Sequence, residues 1–167
     1  MNQTDDPIDI LVQEHQEELA HLESLNSAAQ NISVSGFSPE KFLEVSDSIR
    51  HINVEIRTHS EKEEKYLFPI LERNNAFQLR AMVEEHRELR KVGLHIQECV
   101  EDIEEGRIYS TTVKELLQSA AQLYRLLGSH ITKENQVLFP TVRKLLTPTD
   151  YDRLRESFAS ASSAQGI

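Results

Sequence analysis

Apolar residues recur every three or four positions along four separate stretches of this chain, and that period commits it to long amphipathic helices. The second stretch runs Phe42, Val45, Ile49, Ile52, Ile56, His59, Glu63, Tyr66, Ile70, and the third Leu79, Met82, His86, Leu89, Gly93, Ile96, Val100, Ile103. The fourth reads Val113, Leu116, Ala120, Leu123, Leu127, His130, Glu134, Val137, Thr141. The first is looser, with Ile8, Leu11, His15, Leu19, Leu22, Leu25 and Ala29. Asp6-Pro7, Ser38-Pro39 and Thr147-Pro148 each set a capping side chain before a proline at the first helical position. Gly106 followed by Ser110 marks another stop and start, and Asn74-Asn75 separates two further segments. These signals predict helices over about 7–31, 38–73, 75–105 and 110–146, a tail helix near 148–160 and a loop over 31–37.

The predicted fold class is therefore all-α. Short connections make successive helices antiparallel, which gives an up-down-up-down four-helix bundle with a short C-terminal helix. A single domain over 1–167 is expected, with the bundle over about 7–146. With only five Gly and five Pro, a turn-rich sandwich or barrel is excluded. Acidic residues outnumber basic ones 28 to 18, for a formal charge of −10, so neither a nucleic-acid nor an anionic-membrane surface is expected. No apolar run approaches the ~18 residues of a membrane span, and Met1 to Ile10 is polar and acidic, unlike a signal peptide. Cys99 is the single cysteine and cannot form an intrachain disulfide, which fits a reducing, cytoplasmic location.

The apolar stripes contain residues that do not belong in a core. His15, His59, Glu63, His86, His130 and Glu134 all lie on them. An unpaired buried carboxylate costs several kcal/mol, and a buried imidazole must satisfy a donor and an acceptor. A metal cluster would collect all six, since imidazole and carboxylate both ligate first-row metals. In an antiparallel bundle these positions fall within roughly one helical turn of the same level.

A repeat strengthens this reading. His86 follows His15 by 71 residues, and His130 follows His59 by 71. Glu14-His15 answers to Glu85-His86. His59-x-x-Lys62-Glu63-x-x-x-Leu67-Phe68-Pro69 answers to His130-x-x-Lys133-Glu134-x-x-x-Leu138-Phe139-Pro140. Two helix hairpins, each giving two His and one Glu, build a pseudo-two-fold site suited to two metal ions.

Other candidates carry weaker signals. With seven His in an acidic chain, one H-x-x-x-E match arises by chance, and His51 with Glu55 supplies it. Their counterparts are Gln122 and Leu126, so they read as a solvated or flanking pair, with Glu55 a candidate supporting group one turn before His59. His21 and His95 also lack repeat partners and read as surface or satisfied core histidines. Tyr66 and Tyr124 lie on or beside the stripes and read as core tyrosines with hydroxyls at the rim. Cys99 reads as a buried small hydrophobe. The Leu-Phe-Pro triplets read as core plugs, with each Pro bending its helix.

The paired H-x-x-x-E-x-x-x-Leu-Phe-Pro motifs and the two Glu-His positions resemble the hemerythrin-like proteins, or HHE cation-binding domains, over about Pro7 to Leu146. The resemblance implies a centre of two non-haem iron ions, Fe2+ or Fe3+, in a four-helix bundle. His15, His59, His86 and His130 would be terminal ligands, Glu63 and Glu134 would bridge, and an oxo or hydroxo group usually completes such a centre. Oxygen-carrying members have a further His where Arg90 stands, and an H-x-x-x-x-D motif where this chain has Glu134 four residues after His130. The four-His, two-Glu set is closer to di-iron repair proteins and to iron or oxygen sensors.

The function expected first is binding or sensing of a small diatomic or peroxide ligand, O2, NO or H2O2, at the buried centre. Apolar walls such as Ile56, Leu127 and Leu89 would limit water there. The alternative is a di-iron enzyme acting in peroxide or NO detoxification or in iron-sulfur cluster repair. A purely structural metal is disfavoured, because six protein ligands leave open positions on two irons.

Overall fold

The computed structural model describes residues 6–73 and 79–164, with side chains as far as Ala161. All regular structure among these residues is helical. The helices are α1 (Pro7–Ser35), α2 (Pro39–Lys62), α3 (Phe68–Arg73), α4 (Leu79–Glu104), α5 (Ser110–Lys133), α6 (Phe139–Leu145) and α7 (Pro148–Ala164). Two five-residue π-turns, Glu63–Leu67 and Glu134–Leu138, join α2 to α3 and α5 to α6 without a break. The Asn74-Asn75 boundary and the predicted start of the third helix lie outside the described residues, as do 1–5 of the polar N-terminal stretch.

The caps behave as their residue types dictate. Asp6 accepts from the Ile8 amide at 2.8 Å, and Ser38 from the Lys41 amide at 3.4 Å. Thr147 and Asp150 bond reciprocally through side chain and backbone, a capping box that starts α7. Gly106 ends the third long segment with φ +86°, and the Arg107 amide reaches back to the Asp102 carbonyl. One boundary differs from expectation. Helix α1 runs on through 31–35, read above as loop, because Ile32 is buried and keeps the stripe going until Gly36, at φ +90°. Asn31, Ser33 and Ser35 are poor helix formers, which hid the last turn.

Helix α1 packs against α2 and α5, and α4 packs against α2 and α5, so the four long helices form a closed ring. The α2–α4 approach is close at Gly93, where an added Cβ would collide with Oδ1 of Asn53. Asn53 instead donates to the Gly93 carbonyl at 3.1 Å.

The core falls into two apolar clusters. One, built on residues such as Leu25, Ile49, Ile96 and Leu123, fills the half nearer the loops at Gly36 and Gly106. The other joins Ile8, Leu11, Phe68, Phe139 and Val142 to Leu154 and Phe158 of α7. A fully buried Leu or Ile contributes about 1.5–3 kcal/mol, so each cluster holds its own end of the ring. Between them runs a layer of buried polar side chains.

The π-turns correct the predicted stripes. The Phe68 amide bonds to the Glu63 carbonyl and the Phe139 amide to the Glu134 carbonyl, five residues back. Each widened turn absorbs one extra residue and shifts the following helix by about 100°. Leu67 and Phe68, and likewise Leu138 and Phe139, therefore turn inward, while Tyr66 is only half-buried and Val137 is 51 % exposed. The prolines explain the insertion. Pro69 and Pro140 lack an amide hydrogen and would clash with the carbonyl four residues back in a regular helix, and the wide turn relieves both. A similar slip occurs in α1, where Glu18 is buried and Leu19, placed on the stripe above, is 40 % exposed.

Candidate metal centre

All six histidine and glutamate side chains singled out by the repeat lie in the polar layer, each no more than 4 % exposed. The packed pair α1 and α2 brings His15 and His59 together with ring centroids 4.5 Å apart, and the pair α4 and α5 brings His86 and His130 to 4.8 Å. The carboxylates stand between the two pairs. Oε2 of Glu134 lies 2.9 Å from His15 Nε2 and 3.8 Å from His59 Nε2. Its Oε1 lies 3.0 Å from His130 Nε2 and 3.7 Å from His86 Nε2. Glu63 repeats the pattern, with Oε1 3.6 Å from His59 Nε2 and Oε2 3.2 Å from His86 Nε2. Each carboxylate thus offers one oxygen to each histidine pair.

Two groups of donor atoms are compact enough to hold a metal ion: Glu63, His86, His130 and Glu134, and His15, His59 and Glu134. Glu134 belongs to both. Nε2 of His15, His59 and His86 and all four carboxylate oxygens have no hydrogen-bond partner. Orphaned donors and acceptors at this depth are costly, and a cation satisfies them together.

The opposite ring nitrogens are all engaged. Nδ1 of His59 lies 2.9 Å from Glu14, that of His86 2.8 Å from Glu64, and that of His130 2.8 Å from Glu85. A carboxylate only accepts, so in these three rings Nδ1 carries the proton and Nε2 is left facing the centre. His15 Nδ1 lies 2.8 Å from Oδ1 of Asn135. Lys62 pairs with Glu14, and Lys133 with Glu85 at 2.5 Å. Glu14 and Glu85 were visible in the repeat beside His15 and His86. The structure shows that each orients the histidine of the neighbouring helix instead.

The electrostatics of the layer reflect this crowding. Burial disfavours the ionised form of Glu134, yet the surrounding imidazoles of His130, His15, His59 and His86 outweigh it and hold the carboxyl well below its usual range. Burial likewise opposes the imidazolium of His86, but Glu134 and Glu63 prevail and push it up to about 10. His59 is raised well above its ordinary value against the same burial by Glu63, Glu134 and Glu14. The carboxylates thus favour the imidazolium form of these rings, and a bound cation would compete with that proton.

The model of the hemerythrin HHE cation-binding domain matches residues 6–142. The chain belongs to that family. No curated protein gives a significant match. The family is that of a cation-binding domain, and the buried His-Glu layer brings together donor atoms that could hold a metal ion.

The remaining candidates fall elsewhere in the domain. His51 is exposed and His21 is 35 % exposed, their rings stacked 4.6 Å apart, and His21 lies 3.5 Å from Glu55. His95, Cys99 and Glu115 come within ligand reach of one another, but His95 and Glu115 are exposed and burial pushes the Cys99 thiol up, away from the thiolate that binds metal. Tyr124, read above as a core tyrosine, is on the surface and donates to Glu23 at 3.2 Å. It belongs to an outward position between the buried Leu123 and Leu127. Tyr66 packs near Phe158. Arg90 donates to Ser60 at 2.7 Å and to Glu64 at 3.2 Å, and so braces the carboxylate that holds His86. Ile56, Leu89 and Leu127 are buried as expected. No helix among the described residues is long and apolar enough to cross a membrane.

The sequence reading missed Glu18. It is 2 % exposed, its Oε1 has no partner, and burial pushes its carboxyl up to about 7. Its signal was its spacing, three residues after His15 on the same face.

Proposed function

We propose that this protein holds two non-haem iron ions in the polar layer, one on His15 and His59 and the other on His86 and His130, with Glu63 and Glu134 bridging them. The observation that carries this reading is the split of each carboxylate, one oxygen toward each histidine pair. Nitrogen and oxygen donors without thiolate suit iron among the redox-active first-row metals. Bound iron would supply redox-active positions open to O2, NO or peroxide, and binding or sensing of such a small ligand is the proposed activity.

The residues of the chain define what the site does for that ligand. Glu14, Glu64, Glu85 and Asn135 fix the imidazole planes, so the donors are aligned before metal arrives. Ile56, Leu89 and Leu127 on one side and Phe68 and Phe139 on the other exclude water. Cross-helix contacts between Glu14 and His59, Arg50 and Glu104, Glu85 and His130, and Glu23 and Tyr124 support an up-down-up-down antiparallel order of the long helices. A single domain in the cytoplasm, with no nucleic-acid partner, completes the reading, supported by the closed ring, the buried thiol and the −10 charge.

The test is an optical spectrum of iron-loaded, anaerobically reduced protein before and after admission of O2, with iron counted per chain. Two irons and a spectral change reversed by removing O2 mean a binding protein. Two irons and an irreversible change mean a redox sensor or enzyme. A chain that retains no stoichiometric iron overturns the proposal.

A further inference from the structure

Two orphaned buried oxygens lie outside the six-residue layer, and they occupy neighbouring places. Glu18 Oε1 and Glu55 Oε2 have no hydrogen-bond partner, and every other such side-chain atom among the described residues belongs to His15, His59, Glu63, His86 or Glu134. Glu18 stands one turn beyond His15 on α1, and Glu55 one turn before His59 on α2. One turn further out stand His21 and His51, stacked at 4.6 Å with only 5° between the ring planes. The two helices therefore carry three successive rungs of ligand-type side chains: His15 with His59, Glu18 with Glu55, and His21 with His51.

The rungs grade from solvent to interior. His51 is exposed, His21 is 35 % exposed, Glu55 is 22 % exposed and Glu18 only 2 %. His21 Nε2 already lies 3.5 Å from Glu55 Oε1. His51 Nδ1 lies 2.8 Å from the Asp47 carbonyl, so it donates there and leaves Nε2 free, as in the histidines of the buried layer. Glu18 in turn feels His59, His15, Glu55 and Glu134 around it.

The other hairpin has nothing of the kind. Seventy-one residues on, the middle rung is Leu89 and Leu126, and the outer one is Val92 and Gln122. Leu89 and Val92 are buried apolar side chains and Leu126 packs against the same core cluster. Packing therefore does not require carboxylates at Glu18 and Glu55. A neutral diatomic ligand needs no charged path, whereas a dication leaving water needs compensating negative charge along its way.

We propose that His51, His21, Glu55 and Glu18 form a transit site between α1 and α2 that passes a divalent first-row metal ion from solvent to His15 and His59. Imidazole nitrogens and carboxylate oxygens match that cation class, and two carboxylates balance its charge. The proposal rests on the reading of the six-residue layer as a metal centre.

The test uses the metal-free full chain and Co2+ alone, followed by visible absorbance in time, with metal per chain counted at the end. The variant E18L/E55L installs the residues of the other hairpin, and E18Q/E55Q keeps the shape should the first fail to fold. Loading of either is expected to slow at least about tenfold as the negative path is lost, with final metal per chain unchanged. H21A/H51A should slow loading in the same direction. Wild-type loading rates in these variants would overturn the transit site and leave the metal centre standing. A lower final metal content would make Glu18 or Glu55 a ligand of the centre itself, which also overturns transit. A wild-type chain that takes up no Co2+ at all would remove both readings.

Discussion

Asn135 and Glu64 occupy the same place in the two halves of the repeat, and each meets Nδ1 of a histidine at 2.8 Å, Asn135 that of His15 and Glu64 that of His86. One partner is a neutral amide and the other a carboxylate. The repeat therefore builds two similar histidine pairs in unequal surroundings, and the inequality has a measurable consequence. A carboxylate behind an imidazole makes it a stronger donor, and losing such a partner typically costs about 10–100-fold in metal affinity. Stepwise Co2+ titration should resolve a tighter and a weaker ion. Glu64→Gln should weaken the tighter step by about tenfold, and Asn135→Asp should strengthen the weaker one by about as much. Identical isotherms for wild type and both variants would contradict this account.

Glu134 reaches all four histidines, whereas Glu63 stands beside His59 and His86 only. Glu134→Ala should therefore abolish both ions. Glu63→Ala should leave one, and so should His59→Ala or His130→Ala. His95→Ala, far from the layer, should leave the metal count untouched. Metal analysis after dialysis decides, and equal losses across this set would refute a centre organised on Glu134.

Glu18 makes a prediction about acid and base in the metal-free chain. Its carboxyl rises from 4.5 to about 7 on folding, so between those values the native state holds a proton that the unfolded state has released. The stability contributed by Glu18 falls as pH rises through that window and levels off above it, by on the order of 3 kcal/mol in total. Glu18→Gln removes this contribution. Urea unfolding at pH 4 and pH 8 should show a smaller decline for the variant than for wild type, and parallel declines would refute the buried, proton-retaining carboxyl.

The π-turn places Val137 outside and Val142 inside, with 51 % and 0 % exposure. Val137→Lys should change stability by no more than about 0.5 kcal/mol, while Val142→Lys buries an unpaired charge and should cost several kcal/mol. Thermal melts of the two variants give the comparison. A large loss at Val137 would mean an uninterrupted helix instead.

The helices and the six polar positions were legible because both rest on spacing. A three-four period survives in the sequence wherever a helix buries one face, and the 71-residue register repeats ligand and flank together. What could not be read depends on shifts of a single residue. An inserted residue in a π-turn leaves the amino-acid types unchanged and moves every later side chain, so Tyr66 and Val137 were placed inward. In α1 the same one-place error put Leu19 inside and hid Glu18. The partners of Nδ1 were hidden for another reason: Glu14 and Glu85 act across a helix interface, and sequence shows neighbours along the chain but not across it.

The rings laid flat against two of the histidines are Phe139 on His15, at 5.3 Å, and Phe68 on His86, at 5.8 Å. Phenylalanine is the aromatic side chain hardest to strip of an electron. Of the four tyrosines Tyr66 and Tyr151 are half-buried and Tyr109 and Tyr124 are exposed, and the chain contains no tryptophan. Were the centre to meet oxidants, as proposed, these rings would wall it with insulation. Holes left there have no easy stepping-stone into the protein, and self-inflicted damage should concentrate on the ligands themselves.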